Sequence, residues 1–179
     1  MLSDMVRYNV IYVDPPLGSG KADRELLGRL PIGTMAQDQA LLFLWFPPAE
    51  LEGFLSVLNT WGFSYLRLLT WRDKSQEVVR ADCSRCEHLL VGIRGLVRVD
   101  CLQRENLFDC WLPKWKRHPP FFRDLAVQAA NRAFAEPELM DVFGEYWQAL
   151  DADYQPEEWE FWEGIRKQWL EDARIGRNG

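Results

Sequence analysis

The residues of this chain best placed to do chemistry are Asp14, Pro15 and Pro16, which follow directly on the apolar run Tyr8–Val13. Neither proline can donate to a β ladder, so the pair ends that run and holds the neighbouring carbonyls in fixed directions beside the carboxylate. An exocyclic amino group could give one hydrogen bond to Asp14 and another to the Pro15 carbonyl. Held in that way, its nitrogen lone pair points at an electrophile, which is catalysis by positioning. Asp-Pro-Pro also describes an ordinary proline-terminated strand, so the motif needs company before it carries a function.

Two other groups of residues invite a chemical reading. Cys83 and Cys86 have the spacing of a zinc-binding pair, but eight residues lie between Cys101 and Cys110. Reduced, partly buried thiols are the plainer alternative, and no metal is assigned. Lys114, Lys116, Arg117 and His118, interleaved with Trp111 and Trp115, form the one dense basic–aromatic patch. Such a patch can grip phosphates and stack an unpaired base, or it can be a solvated loop with inward tryptophans. Arg72 and Lys74 add positive charge in a second polar stretch, Arg72–Arg85, read as a surface loop. His88, at a strand start, reads as structural.

Elements must hold these groups in place. Tyr8–Val13 and Leu41–Phe46 are near-continuous apolar runs, the pattern of strands buried on both faces of a largely parallel sheet. Ser64–Trp71, His88–Ile93, Leu107–Leu112 and Glu138–Phe143 follow as further strands. Apolar spacing at Leu51, Phe54, Leu55, Leu58 and Trp61 predicts a helix over Ala49–Trp61, closed by Gly62. A second helix is expected over Phe121–Ala135, begun after Pro119-Pro120, and a short helical piece over Lys21–Leu30. Strands alternating with helices give an α/β fold, and Asp14 stands at the carboxyl end of its strand, where such sheets bind ligands.

The chain has 179 residues, about one domain's worth, with 21 basic and 27 acidic residues and a net charge of −6. That acidity argues against nucleic-acid binding by bulk charge and leaves only a local patch to do it. With 47% hydrophobic residues the chain is neither disordered nor low in complexity. No apolar run approaches the roughly 20 residues of a membrane span, and no secretion signal opens the chain. A cytoplasmic or other intracellular protein is expected. Residues 1–150 form the expected domain, and 151–179 an acidic tail rich in tryptophan, a helix that covers the domain or docks a partner.

Several pieces of the sequence, in order, resemble the MT-A70 family of adenine-N6 methyltransferases. They are VIYVDPP (Val10–Pro16), LPIGTM (Leu30–Met35), LLFLW (Leu41–Trp45), WGF (Trp61–Phe63), LLTW (Leu68–Trp71) and EHLLVGIRG (Glu87–Gly95). RHPPFF (Arg117–Phe122) and ELMDVFG (Glu138–Gly144) continue the resemblance. It implies a Rossmann-like methyltransferase fold, with a mostly parallel sheet and flanking helices, that uses S-adenosylmethionine. The acceptor it implies is adenine in DNA or RNA, unpaired or swung out of its duplex. By the same resemblance Asp14, Pro15, Pro16 and Leu17 are the catalytic motif. Asp14, Val142, Phe143, Gly144 and Gln148 are the cofactor side, and Arg72, Lys74, Lys114, Lys116, Arg117 and His118 the nucleic-acid side.

The departures from the family are specific. Leu17 replaces the aromatic that packs on the target base, Asp73 replaces a basic residue after Trp71, and Pro119 replaces a lysine. Glu145 stands where the family has an arginine facing the cofactor, and the family's closing Gly-Asn has no counterpart. Losses on both sides point to weakened cofactor use. The alternative is a catalytically silent subunit that binds nucleic acid or supports an active homologue, as in a family heterodimer whose silent member carries leucine at the same place. A methyltransferase-like partner or a second copy of this chain is then expected.

Overall fold

A computed structural model of the protein describes residues 7–15, 25, 27–73, 86–99, 102, 106–110 and 120–142. The short helical piece at Lys21–Leu30 is described only in part, and the tail 151–179 lies outside the described residues. Six strands form one sheet: β1 (Tyr8–Val13), β2 (Ala36–Phe46), β3 (Ser64–Asp73), β4 (Cys86–Arg94), β5 (Leu107–Cys110) and β6 (Leu139–Asp141). Their order across the sheet is β5-β3-β4-β2-β1-β6. Helix α1 (Ile32–Met35) leads into β2, α2 (Leu51–Thr60) joins β2 to β3, and α3 (Pro120–Ala133) precedes β6.

The expectation of a largely parallel sheet needs one correction. β1 runs parallel to β2 and to β6, and β3 parallel to β5, but β4 is antiparallel to both of its neighbours. The sheet is therefore mixed, with one reversed strand among five that point the same way. The reason was already present in the polar stretch after β3. A parallel neighbour needs a crossover, usually a helix, and residues 74–85 carry no apolar stripe to make one. Arg72 and Asp73, read as loop, belong to β3.

β2 shows why these strands are apolar throughout. Leu42, Leu44 and Phe46 enter one core layer, and Leu41, Phe43 and Trp45 enter the other. The first layer packs α1 and α2 on the sheet through Ile32, Met35, Phe54, Val57 and Leu58, and the second packs α3 through Phe122, Ala126, Ala129 and Ala130. Each fully buried large side chain contributes roughly 1.5–3 kcal/mol. Leu51, counted on the apolar face of α2, is exposed, and Val57 takes a core place instead. β2 also begins five residues before the expected Leu41. Gln37, Asp38 and Gln39 broke the apolar pattern there, yet the segment is tied down by Arg7, which donates to Ala36 O at 2.8 Å and pairs with Asp38 at 3.0 Å.

Arg94, at the end of β4, locks the helical layer. Its guanidinium donates to the carbonyls of Gly33 (2.8 Å), Trp61 (2.6 Å) and Gly62 (3.2 Å), and lies 5.1 Å from the centre of the Phe63 ring. One side chain thus ties α1 to the end of α2. Gly62 ends α2 with φ +78°, a left-handed conformation that suits glycine and closes the helix.

Candidate active site

Because five strands point the same way, their carboxyl ends share one edge of the sheet, and the reversed β4 brings its start to that edge. From β1 the chain goes to β2 on one side, while β6 arrives on the other. The connections diverge between β1 and β6, and in open α/β sheets the ligand crevice lies outside the carboxyl ends at such a point. Asp14 follows β1 directly into this place, with one carboxylate oxygen, Oδ1, shielded from solvent, and Pro15 is buried beside it. Across from them, Tyr12 is paired with Asp141 on β6, and Val142 N–H donates to Tyr12 O at 2.9 Å.

Beneath Asp14 lies a polar group that pattern reading had not brought together. Tyr12 is almost wholly buried, and its hydroxyl accepts a hydrogen bond from Trp45 Nε1 at 2.6 Å. Burial first, and then the nearby Asp14 carboxylate, push the pKa of this hydroxyl far above the ordinary tyrosine value, so it keeps its proton. Asp141 acts in the same direction and Arg123 against it, so all three charges lie within electrostatic reach of one hydroxyl. Asp141 is buried and Arg123 nearly so, and they pair at 3.3 Å between β6 and the first turn of α3. The pair fixes α3 with its amino end at the functional edge. At its other end, Asn9 Nδ2 donates to Glu136 O at 3.0 Å. An acid inside the apolar run LMDV was the one sequence signal for this pair.

The other residues expected at the site divide clearly. Val142 is buried next to β6, its N–H bonded to the end of β1, whereas Pro16, Leu17, Phe143, Gly144 and Gln148 lie outside the described residues. Arg72 is exposed, on the right edge but in β3, three strands from β1. At the usual strand spacing that is about 14 Å, too far for Arg72 to touch a group held at Asp14. Lys74, Lys114, Lys116, Arg117 and His118 lie outside the described residues. So do Cys83 and Cys101, two of the four cysteines of the zinc reading, while Cys86 starts β4 and Cys110 ends β5. Among the described residues, no group of three or more His, Cys, Asp or Glu side chains could hold a metal.

His88 lies within β4, where Nδ1 is 2.9 Å from Thr70 Oγ1 and the ring packs 5.6 Å from Phe46. Burial lowers its basicity, which agrees with a structural neutral imidazole. Among the described residues no helix is long and apolar enough to cross a membrane.

Taken together, the edge carries the Asp14 carboxylate beside a buried proline, supported from below by a tyrosine that keeps its proton and by a buried ion pair. No curated protein matches the chain. A family profile does: the MT-A70 description matches residues 8–110, from the start of β1 to the end of β5. That span is more than half of the 179 residues and includes Asp14, Pro15 and the whole β1–β5 framework, and on it the chain belongs to the MT-A70 family.

Proposed function

We propose that the protein is an S-adenosylmethionine-dependent methyltransferase that modifies the N6 amino group of adenine in nucleic acid. Family membership supports a methyltransferase-like function. The observation that carries the finer reading is Asp14, set between the ends of β1 and β6 beside a carbonyl that belongs to a proline. Five co-oriented strands with helices on both faces support a Rossmann-like form of the fold.

The described residues fit such a cofactor in one respect of charge: a partly shielded carboxylate at the crevice suits a cationic sulfonium. Asp14 and Val142, with Phe143, Gly144 and Gln148, would hold it. When bound, it supplies an electrophilic methyl group. The chain's own part is positioning. Asp14 and the Pro15 carbonyl accept the two N–H bonds of an amino group, which fixes the direction of its lone pair. Tyr12, held by Trp45, gives the end of β1 a rigid floor and adds no second negative charge beside Asp14. The base has to be unpaired to reach this place.

A second reading, a silent subunit, is favoured by Leu17, by Glu145 and by Asp73, an acid that ends β3 on the functional edge. One experiment separates the two. The full chain is incubated with labelled cofactor and single-stranded DNA or RNA containing adenine, and the product is identified by mass. N6-methyladenine is expected, with a fall of about 100-fold or more in Asp14→Ala, the scale of a misplaced reactant. Equal product from Asp14→Ala overturns the proposal. No product, together with no cofactor binding by calorimetry, leaves the silent subunit as the function.

A further inference from the structure

The aromatic that the family sets after Asp-Pro-Pro is Leu17 in this chain, yet the functional edge carries an aromatic ring open to solvent. Phe121, the second residue of α3, is 45% exposed, while the next residue, Phe122, is wholly buried. The Phe121 ring is braced by two others. Its centre lies 5.2 Å from that of Phe108 on β5, at 46°, and 5.4 Å from that of Phe122, at 77°. A ring held by two neighbours loses little freedom when something stacks on its open side.

Position and charge indicate what would stack there. Arg123, two residues on, pairs with Asp141 at the crevice, so the first turn of α3 lies at the same edge as Asp14. Phe122 stands between Phe121 and the tyrosine–tryptophan floor of the site, 4.9 Å from Trp45. Phe108 belongs to β5, four strands from β1 and about 19 Å away at the usual strand spacing, so Phe121 is too far over to take the base held at Asp14 or the one next to it. In the sequence, Lys114, Lys116, Arg117 and His118 come just before α3, a local positive charge in a chain of net −6. That charge suits a polyanion whose bases are unpaired, because sequence-tolerant single-strand binding combines basic residues with stacking aromatics.

We propose that Phe121 is a stacking platform for an unpaired base of a single-stranded polynucleotide, further along the strand than the base presented to Asp14. The relation to Asp14 rests on the function proposed above; the platform itself is tested by binding alone.

Affinity is read by fluorescence anisotropy of the full chain with labelled single-stranded DNA, single-stranded RNA of the same sequence, and the corresponding duplex. Phe121→Ala and Phe121→Leu are both expected to weaken single-strand binding by about 5- to 150-fold, and Phe121→Trp to restore it. The leucine variant keeps an apolar side chain for packing and removes only the aromatic face, and thermal unfolding checks that it folds. Both single strands should show the same loss, since bases present a stacking face whatever the sugar. Leu107→Ala, at another exposed apolar position, should bind as the wild type does. Wild-type affinity in Phe121→Leu, tighter binding to the duplex, or no binding to either single strand overturns the platform. Asp14→Ala is expected to keep the binding and lose methyl transfer, so a failed methylation assay and a failed stacking assay can be told apart.

Discussion

Replacing Tyr12 by phenylalanine removes a single oxygen from the floor of the candidate site. The ring of Tyr12 is 4% exposed and that of Trp45 2%, so water does not readily replace the hydroxyl that accepts the indole N–H at 2.6 Å. A buried donor deprived of its acceptor costs about 1–3 kcal/mol, while the apolar packing of the ring is unchanged. For a chain of this size each kcal/mol corresponds to about 2–4 °C, so a fall in Tm of about 2–12 °C is expected. Urea unfolding of the wild type, Tyr12→Phe, Trp45→Phe and the double variant closes a cycle. Its coupling energy should be about 0.5–3 kcal/mol, because the hydrogen bond can be lost only once. The same hydroxyl predicts a pH effect. Its folded-state pKa is raised above the ordinary 10.0, so the folded chain holds that proton more tightly than the unfolded one. The stability it contributes is complete below pH 10 and lost as the pH rises beyond it, and Tyr12→Phe should flatten that alkaline decline. A variant as stable as the wild type, with no coupling to Trp45, would refute the hydrogen-bonded floor.

Three further outcomes are expected. Arg123→Met takes the charged partner from a buried Asp141 and should destabilise the chain by about 3–5 kcal/mol in chemical denaturation, most of which Asp141→Leu in the same chain recovers. Arg94→Met loses charge-assisted bonds to the carbonyls of Gly33 and Trp61, and should cost at least about 1.5–3 kcal/mol, with proteolysis first appearing around α1 and the end of α2. His88, whose basicity is lowered by burial, binds its proton more readily when unfolded, so stability should decline as the pH falls below 6.5. His88→Asn should flatten that decline, measured as Tm between pH 5 and 8.

Much of the framework was legible in the sequence because it rests on local patterns. β1 has the expected bounds, since an unbroken apolar run ended by Asp-Pro-Pro can do little but form a buried strand and stop. Helix α2 and its close at Gly62 followed from apolar spacing and one glycine. The family, too, was readable from short motifs in order, and residues 8–110 match it. The place of Asp14 at a carboxyl strand end needed only the strand's direction along the chain.

What the linear order could not supply is which strands are neighbours and which way each one runs. The reversal of β4, the divergence of the chain between β1 and β6, and the bond of Val142 N–H to Tyr12 O follow from strand pairing among residues as far as 129 apart, and pairing depends on the whole sheet at once. The Tyr12–Trp45 bond and the Arg123–Asp141 pair are of the same kind. Each joins residues far apart in the chain, two aromatics of neighbouring core strands in one case and a charge in an amphipathic helix with an acid at a strand end in the other. Only packing, by excluding water from both at once, turns them into the support of a site.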